Sequence, residues 1–343
     1  MRRGILTGGT WCLDRNIMVV TWPAENGRAD ILENIPCGGG SGYNMAVNIK
    51  TLDPAMPVGT IALVGADADG AFLVGEAERY GIEHSRMQTT DKAPTDYTLA
   101  FASADKGLRT HMSQFGVANL LTPDHFDFSG LTHKLLHLGL PGIHALMDGP
   151  WGGFENGWAA TLDKARRAGL ATNMELTSIE AERINALMRP CLPHLDLLIV
   201  NDHEIGGIAG IETVPGGETD IDACVAAARA VMERGAMALV AVHFPRGGVV
   251  VTRDGGVTVR PSVRVPQEAI AGANGAGDAF AAGFLYGWHE GWPVADSLAL
   301  AHATAAASLR DITTTGGILP WREALDLANR WGWREDARPS AVA

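Results

Sequence analysis

Short apolar runs recur along the chain at residues 4–7, 60–64, 134–138, 170–174, 195–200 and 238–242. They show no polar–apolar alternation and are too short for buried helices. Such runs fit strands covered on both faces, which is the situation of a parallel sheet. Between them lie stretches with helical spacing. Residues 157–168 place Trp158, Leu162 and Ala165 on one face, and 221–234 place Val225, Ala228 and Met232 similarly. The stretches 278–289 and 294–310 are longer and rich in alanine. Strand–helix alternation of this kind predicts an α/β fold with a doubly wound, mainly parallel sheet flanked by helices. A chain of 343 residues that is 46% hydrophobic can fill the core this requires.

Two stretches depart from the pattern. Residues 17–22 and 30–35 flank Asn26-Gly27, a strong turn pair. Residues 96–103 and 108–112 flank Asp105-Lys106-Gly107. Their mixed polar and apolar residues suit a small sheet open to solvent on one side. The expected arrangement is a single α/β domain over 1–335, with β-lid segments at about 15–36 and 95–113 and a flexible tail at 336–343. Two separate edge hairpins are the alternative.

The formal net charge is -12. No cluster of Lys and Arg forms the basic face a nucleic-acid partner needs. A polyanionic ligand must therefore be held locally, by backbone N–H groups and a metal ion. Cys12, Cys37, Cys191 and Cys224 are scattered without a CxxC pair, so neither a zinc site nor a disulfide framework is expected. No apolar run is long enough for a membrane span or a signal-peptide core, which makes the cytoplasm the expected location.

The sharpest local signal is Gly275-Ala276-Gly277-Asp278-Ala279-Phe280, a glycine turn that opens an apolar helix. A helix start exposes unpaired N–H groups and a partial positive charge. Gly275 and Gly277 let the backbone approach an anion closely. Phosphoryl transfer gathers negative charge on the migrating group, so this turn suits an anion hole, with Asp278 placed to take a proton from an attacking hydroxyl. Taken by itself, the pattern also reads as a plain turn with a capping acid.

Three further motifs precede it. Cys37-Gly38-Gly39-Gly40-Ser41-Gly42-Tyr43-Asn44-Met45-Ala46 is a glycine-rich turn entering a helix. Val64-Gly65-Ala66-Asp67-Ala68-Asp69-Gly70 and Asn201-Asp202-His203-Glu204 follow in order. Together with Gly275–Asp278, they make the chain resemble the ribokinase-like sugar kinases, the PfkB family, over roughly residues 4–325. The resemblance implies ATP and Mg2+ as cofactors and Asp278 as catalytic base, with Gly275, Ala276 and Gly277 as the anion hole. It implies that Asp14 grips substrate hydroxyls, and that Gly39, Gly40, Gly42 and Asn44 lie against the sugar. Asn201, Glu204, Asn274 and Gly247 would serve the nucleotide and its phosphates, with Glu204 orienting Mg2+ through water. Asn173 and Glu175 would line the phosphate channel. Residues 242–248 and 302–308 would flank adenine, with His302 itself read as a core or edge histidine.

The family's second signature begins Asp-Thr, whereas Gly272 and Ala273 stand there in this chain. A K+ site would then rest on backbone carbonyls. The implied activity is ATP-dependent phosphorylation of a hydroxyl, a primary alcohol, on a small sugar or sugar-like molecule. A nucleoside kinase of the same fold stays open, since Trp11, Trp22, Tyr43, Tyr97 and Phe101 offer a slot for a base. A sugar-binding sensor without catalysis stays open too, given the altered signature. A homodimer through apolar lid faces is a further expectation. A dehydrogenase is disfavoured, because no GxGxxG with a suitably spaced acid follows the first strand.

Overall fold

The computed structural model describes residues 2–105, 109–177 and 179–337. The strands are β1 (Ile5–Gly9), β2 (Cys12–Val19), β3 (Ile31–Gly39), β4 (Val58–Gly65), β5 (Glu83–Thr90), β6 (Tyr97–Ser103), β7 (Arg109–Gln114), β8 (Leu135–Gly139), β9 (Ala171–Met174), β10 (Leu197–Asn201), β11 (Leu239–Phe244), β12 (Gly247–Thr252) and β13 (Val257–Pro261). The helices are α1 (Ser41–Leu52), α2 (Ala68–Arg79), α3 (Ala145–Asp148), α4 (Gly157–Arg167), α5 (Ala181–Met188), α6 (Asp202–Ala209), α7 (Ile221–Glu233), α8 (Ala276–His289), α9 (Val294–Ser308) and α10 (Trp321–Trp331).

A parallel sheet runs β5-β4-β1-β8-β9, and a second sheet runs β10-β11-β12-β13. Backbone bonding links the two, since the Asp196 N–H donates to the Thr172 carbonyl at 3.0 Å. Strands β10 and β11 are parallel, while β12 and β13 return antiparallel. Side chains alternate across this sheet with the period of two that a strand imposes. Ile5, Ala62, Leu197 and Ala241 face a layer built from α1, α2, α8 and α9. Leu6, Leu63, Leu198 and Val242 face the opposite layer of α4, α5, α6 and α7. Both faces are therefore dry, which explains why the strands read as continuous apolar runs. Helix starts are marked locally: Asn156 caps α4 through the Ala159 N–H, and Asp220 caps α7 through the Ala223 N–H.

Strand β12 was not expected although it is buried, and two exposed strands, β5 and β13, were not expected either. The first carries mostly polar residues on an exposed edge, and the second is largely exposed. Neither has the apolar signature of the central strands.

The departing segments form one sheet with the order β3-β2-β6-β7. Strand β2 pairs antiparallel with β3 and parallel with β6, and β6 pairs antiparallel with β7. The parallel β2–β6 contact joins the two hairpins, so they are not separate edge elements. This small sheet resembles a lid. Its first hairpin is longer than its apolar pattern indicated, because β2 begins at Cys12 and β3 runs on to Gly39. Asn26 adopts φ 59° as the third residue of a turn closed by the Gly27 N–H donating to the Ala24 carbonyl at 2.8 Å, so Asn26-Gly27 is not the central pair of a two-residue hairpin turn. Residues 106–108 of the second turn and the tail beyond 337 lie outside the described residues.

The second lid segment is tied down at its neck. Asp67 Oδ1 accepts from the Gly70 N–H at 2.8 Å and from the Thr95 hydroxyl at 2.6 Å, and Oδ2 accepts from the Thr95 N–H at 2.8 Å. Asp96 in turn accepts from the N–H groups of Gly116 and Ala118, which closes the loop where β7 leaves. Partial burial works against the Asp67 carboxylate, but its donors prevail and hold it below the usual carboxylate range. A lowered value means that this stabilisation is present at neutral pH and is lost as pH falls through it. Asp67→Ala should cost about 1–2 kcal/mol in urea unfolding near pH 7, with the gap to wild type narrowing below about pH 4. Equal stability at neutral pH would show that the neck does not depend on this carboxylate.

Candidate active site

Among the described residues no side chain caps the first turn of α8. Gly275 stands at its N-cap with φ 73°. A Cβ there would lie 2.4 Å from the Thr314 carbonyl oxygen, so both conformation and space demand glycine. Gly277 differs from the expectation. It sits inside the helix, and a Cβ would meet only His243, at an ordinary 3.5 Å. The tight turn therefore belongs to Gly275 alone.

This helix start stands between two cavities. One, of about 420 Å³, is lined by Asp14, Gly40, Asn44, Asn274 and Asp278, together with Thr10, Asp96, Thr98, Glu175 and Thr314. The other, of about 520 Å³, is lined by Asn201, Ala276 and Gly277, with Phe244, Phe280, His302 and Leu309 forming an apolar slot. A third space, of about 570 Å³, lies between β2, β6 and the 270–274 loop and meets the first at Asn274.

Cross-strand pairing of β2 with β3 sets Asp14 opposite Cys37. A Cβ on Gly39 would fall 2.1 Å from the Asp14 carboxylate, so this glycine clears room for the acid. Gly40 has φ 86° and packs on Thr10. Gly42 does not line the cavity; its missing Cβ admits the Trp11 indole at 2.9 Å. Gly247 is likewise off the cavities. It lies in β12 between Phe244 and Pro261, where the Arg260 carbonyl and Ala337 leave no room for a side chain. Trp11 and Tyr43 are core residues, whereas Tyr97 lines the Asp14 cavity and Phe101 the space under the lid.

The Thr314 hydroxyl donates to Asn44 Oδ1 at 2.8 Å, which turns the Asn44 amide nitrogen toward Asp278. Burial pushes the Asp278 carboxyl well above its usual range, and Glu175, hydrogen-bonded to it, adds to this. Burial likewise pushes Glu175 up to about 7, with the Glu204 charge contributing. Behind Glu175 stands His137, whose Nε2 lies 2.8 Å from Glu175 Oε2. Glu175 was legible only as the residue after a buried strand; its partner His137 gave no signal.

Asn201 and Glu204 form a reciprocal cap at the start of α6. Asn201 Oδ1 accepts from the Glu204 N–H at 2.8 Å, and Glu204 Oε2 accepts from the Asn201 N–H at 2.9 Å. One oxygen of Glu204 is thus committed to the helix. Among the described residues no group of three His, Cys, Asp or Glu is placed to hold a metal. His302, expected in the core or at its edge, is buried and lines the apolar slot beside Phe280, with ring centroids 5.1 Å apart.

Burial, reinforced by the Asp278 charge, pushes Asp14 from 3.8 to about 6. A raised value means that the folded state is penalised as pH rises through it. Asp14→Asn should raise Tm by a few degrees above about pH 7, and the gain should vanish below about pH 4. A thermal-unfolding series showing a pH-independent effect would contradict the assigned burial.

A profile of the pfkB family carbohydrate kinase matches residues 37–322. The chain is 27% identical to the adenosine kinase of Saccharomyces cerevisiae over 277 residues, covering 80% of this chain and 78% of that protein. It is 25% identical to the ATP-dependent ribose-1-phosphate kinase of Halopiger xanaduensis, covering 88% and 90%. The fold is shared with Arabidopsis thaliana ribokinase complexed with ribose and ATP, at a TM-score of 0.77, 16% identity and coverage of 96% and 99%. It is shared also with the Methanocaldococcus jannaschii nucleoside kinase, at 0.72, 18%, 96% and 99%. Among the described residues no helix is long and apolar enough to cross a membrane. The chain belongs to the pfkB family of carbohydrate kinases and is a phosphotransferase that acts on an alcohol group.

Proposed function

We propose that the chain transfers the γ-phosphoryl group of ATP to a primary hydroxyl of a small, unphosphorylated sugar, with Asp278 as the base. One observation carries this reading. The uncapped start of α8 stands between the two cavities, with Asp278 facing one and Ala276 and Gly277 facing the other. ATP lies with its base against Phe280 and His302 and its phosphates at the α8 amides. The acceptor lies in the Asp14 cavity, where one carboxylate can receive two hydroxyl protons. Asp278 takes the proton of the attacking hydroxyl as its oxygen bonds to phosphorus and the bond to the ADP oxygen breaks. The amides at 275–277 hold the charge that builds on the phosphoryl oxygens. Mg2+ bound with the nucleotide would neutralise charge on the phosphates, and Asn201, which lines that cavity, and Glu204, which caps the same helix start, would orient its water shell.

The acceptor cavity favours an uncharged or cationic molecule. It is lined by Asp14, Asp96, Glu175 and Asp278, and among its described lining residues there is no Lys or Arg. A sugar already carrying a phosphate would meet repulsion there. The space under the lid, lined by Ile17, Phe101 and Ile270, leaves room for a larger substituent, which supports including nucleosides in any substrate panel.

The enzyme works as one body in which the lid sheet covers the acceptor and excludes water. We place it in the cytoplasm, where ATP is available and its four cysteines remain free thiols. Edge strand β3 exposes Ile31, Leu32 and Ile35, an apolar edge suited to pairing with the lid of a second copy.

With MgATP and a panel of sugars and nucleosides, ADP should form only in the presence of an acceptor. Asp278→Asn should lower kcat by about 10³-fold with near-normal acceptor affinity. Acceptor binding without turnover in wild type would instead favour a sensor. For the dimer, sedimentation should give twice the chain mass, and Leu32→Lys should reduce it to monomer. A wild-type monomer at micromolar concentration would remove the lid interface.

A further inference from the structure

Asp278 is to receive a proton, so it must be ionised when the acceptor arrives. It is nevertheless buried beside a second carboxyl, Glu175, and the two are hydrogen-bonded. Two adjacent carboxylates cannot both be charged cheaply, and a hydrogen bond between them needs one proton. Which one carries it decides whether Asp278 is a base.

Burial and the neighbouring Glu175 charge by themselves favour the proton on Asp278, and the surrounding donors act against this. His137 and Asn173 are fully buried. Asn173 Nδ2 lies 2.9 Å from His137 Nδ1 and donates to it. Burial pushes His137 down to about 4, so the ring is neutral and bears a single N–H. With Nδ1 accepting, that N–H is on Nε2 and donates to Glu175 Oε2 at 2.8 Å. The other Glu175 oxygen is left toward Asp278. Asp278 in turn receives Asn44 and stands in the first turn of α8, whose partial positive charge favours an anion. The other charged groups facing this pair are Asp14 from β2 and Glu204 from α6, both acidic, and they too disfavour a second negative charge.

We propose that Glu175 is a positioning residue that holds the shared proton. Oriented by the Asn173–His137 pair, its protonated carboxyl donates to Asp278 and keeps Asp278 ionised for the acceptor. The inference rests on the proposed role of Asp278 as base. The acceptor's proton passes to Asp278 as the new oxygen–phosphorus bond forms and the bond to ADP breaks. The Glu175 proton stays in place, and Asp278 gives its proton to water after the products leave.

Glutamine at 175 reproduces the protonated acid, since its amide N–H can donate to Asp278 while its carbonyl accepts from His137. The test is the pH profile of kcat/KM for the full chain, with Tm measured alongside. Glu175→Gln should keep kcat within about threefold at high pH and leave the acid limb within about half a unit of wild type, because its amide supplies the same donor and Glu175 is already uncharged there. Glu175→Met, similar in volume but without a donor, should raise the acid limb by about one unit or more and lower kcat/KM about tenfold or more near neutral pH, because Asp278 loses the hydrogen bond that favours its ionised form. An acid limb that falls in either folded variant overturns the inference, since Glu175 would then have carried the charge, and so does one that Glu175→Met leaves in place. So does a Glu175→Gln variant that loses more than about a hundredfold at high pH, since that would make the Glu175 charge itself essential. Failure of the base assignment looks different, because Asp278→Asn would then keep its rate whatever Glu175→Gln does.

Discussion

The contact between Gly275 and Thr314 fixes where α8 begins. No side chain fits between Gly275 and the Thr314 carbonyl, and the Thr314 hydroxyl bonds to Asn44 at 2.8 Å. The late turn at 313–315, the first helix of the chain and the start of α8 are thereby locked together. Everything chemical follows from that clasp. It leaves the first amides of α8 uncapped, points Asp278 into one cavity and sets Gly277 on the wall of the other. An acceptor and a donor in those cavities would meet across a single helical turn.

The same geometry has a cost. Asp14, Glu175, Glu204 and Asp278 are all raised by burial, in a region that brings together little countercharge. Hydrogen bonds offset part of this through the reciprocal cap at Asn201 and the Asn173–His137 pair behind Glu175. The remaining penalty is the familiar trade of stability for a poised site. Carboxyls raised in this way are also those best able to exchange protons with an alcohol.

Much of the fold was legible because the central strands are dry on both faces. The runs at 60–64, 195–200 and 238–242 fall within β4, β10 and β11 to within a few residues. Strands β5 and β13 escaped notice because exposed edges carry no such signature. Glycine spacing marked the α8 turn but could not say what each missing Cβ serves. Gly39 makes room for Asp14, Gly42 for Trp11, and Gly247 for the neighbouring strand, so only the first of these three bears on the Asp14 cavity. His302 read as a core or edge histidine because its helix is rich in alanine; only tertiary packing sets it against the apolar slot. The partnership of His137 with Glu175 joins residues far apart in sequence and left no local trace.

The most direct test is a crystal structure of the enzyme with ADP, Mg2+, aluminium fluoride and an acceptor sugar, which together mimic the phosphoryl group in flight. The account predicts a planar fluoride complex at the start of α8, held by the amides of residues 275–277. The acceptor hydroxyl should lie in line with it and within hydrogen-bond reach of Asp278. A complex seated elsewhere, or an acceptor hydroxyl bonded to a different side chain, would contradict it.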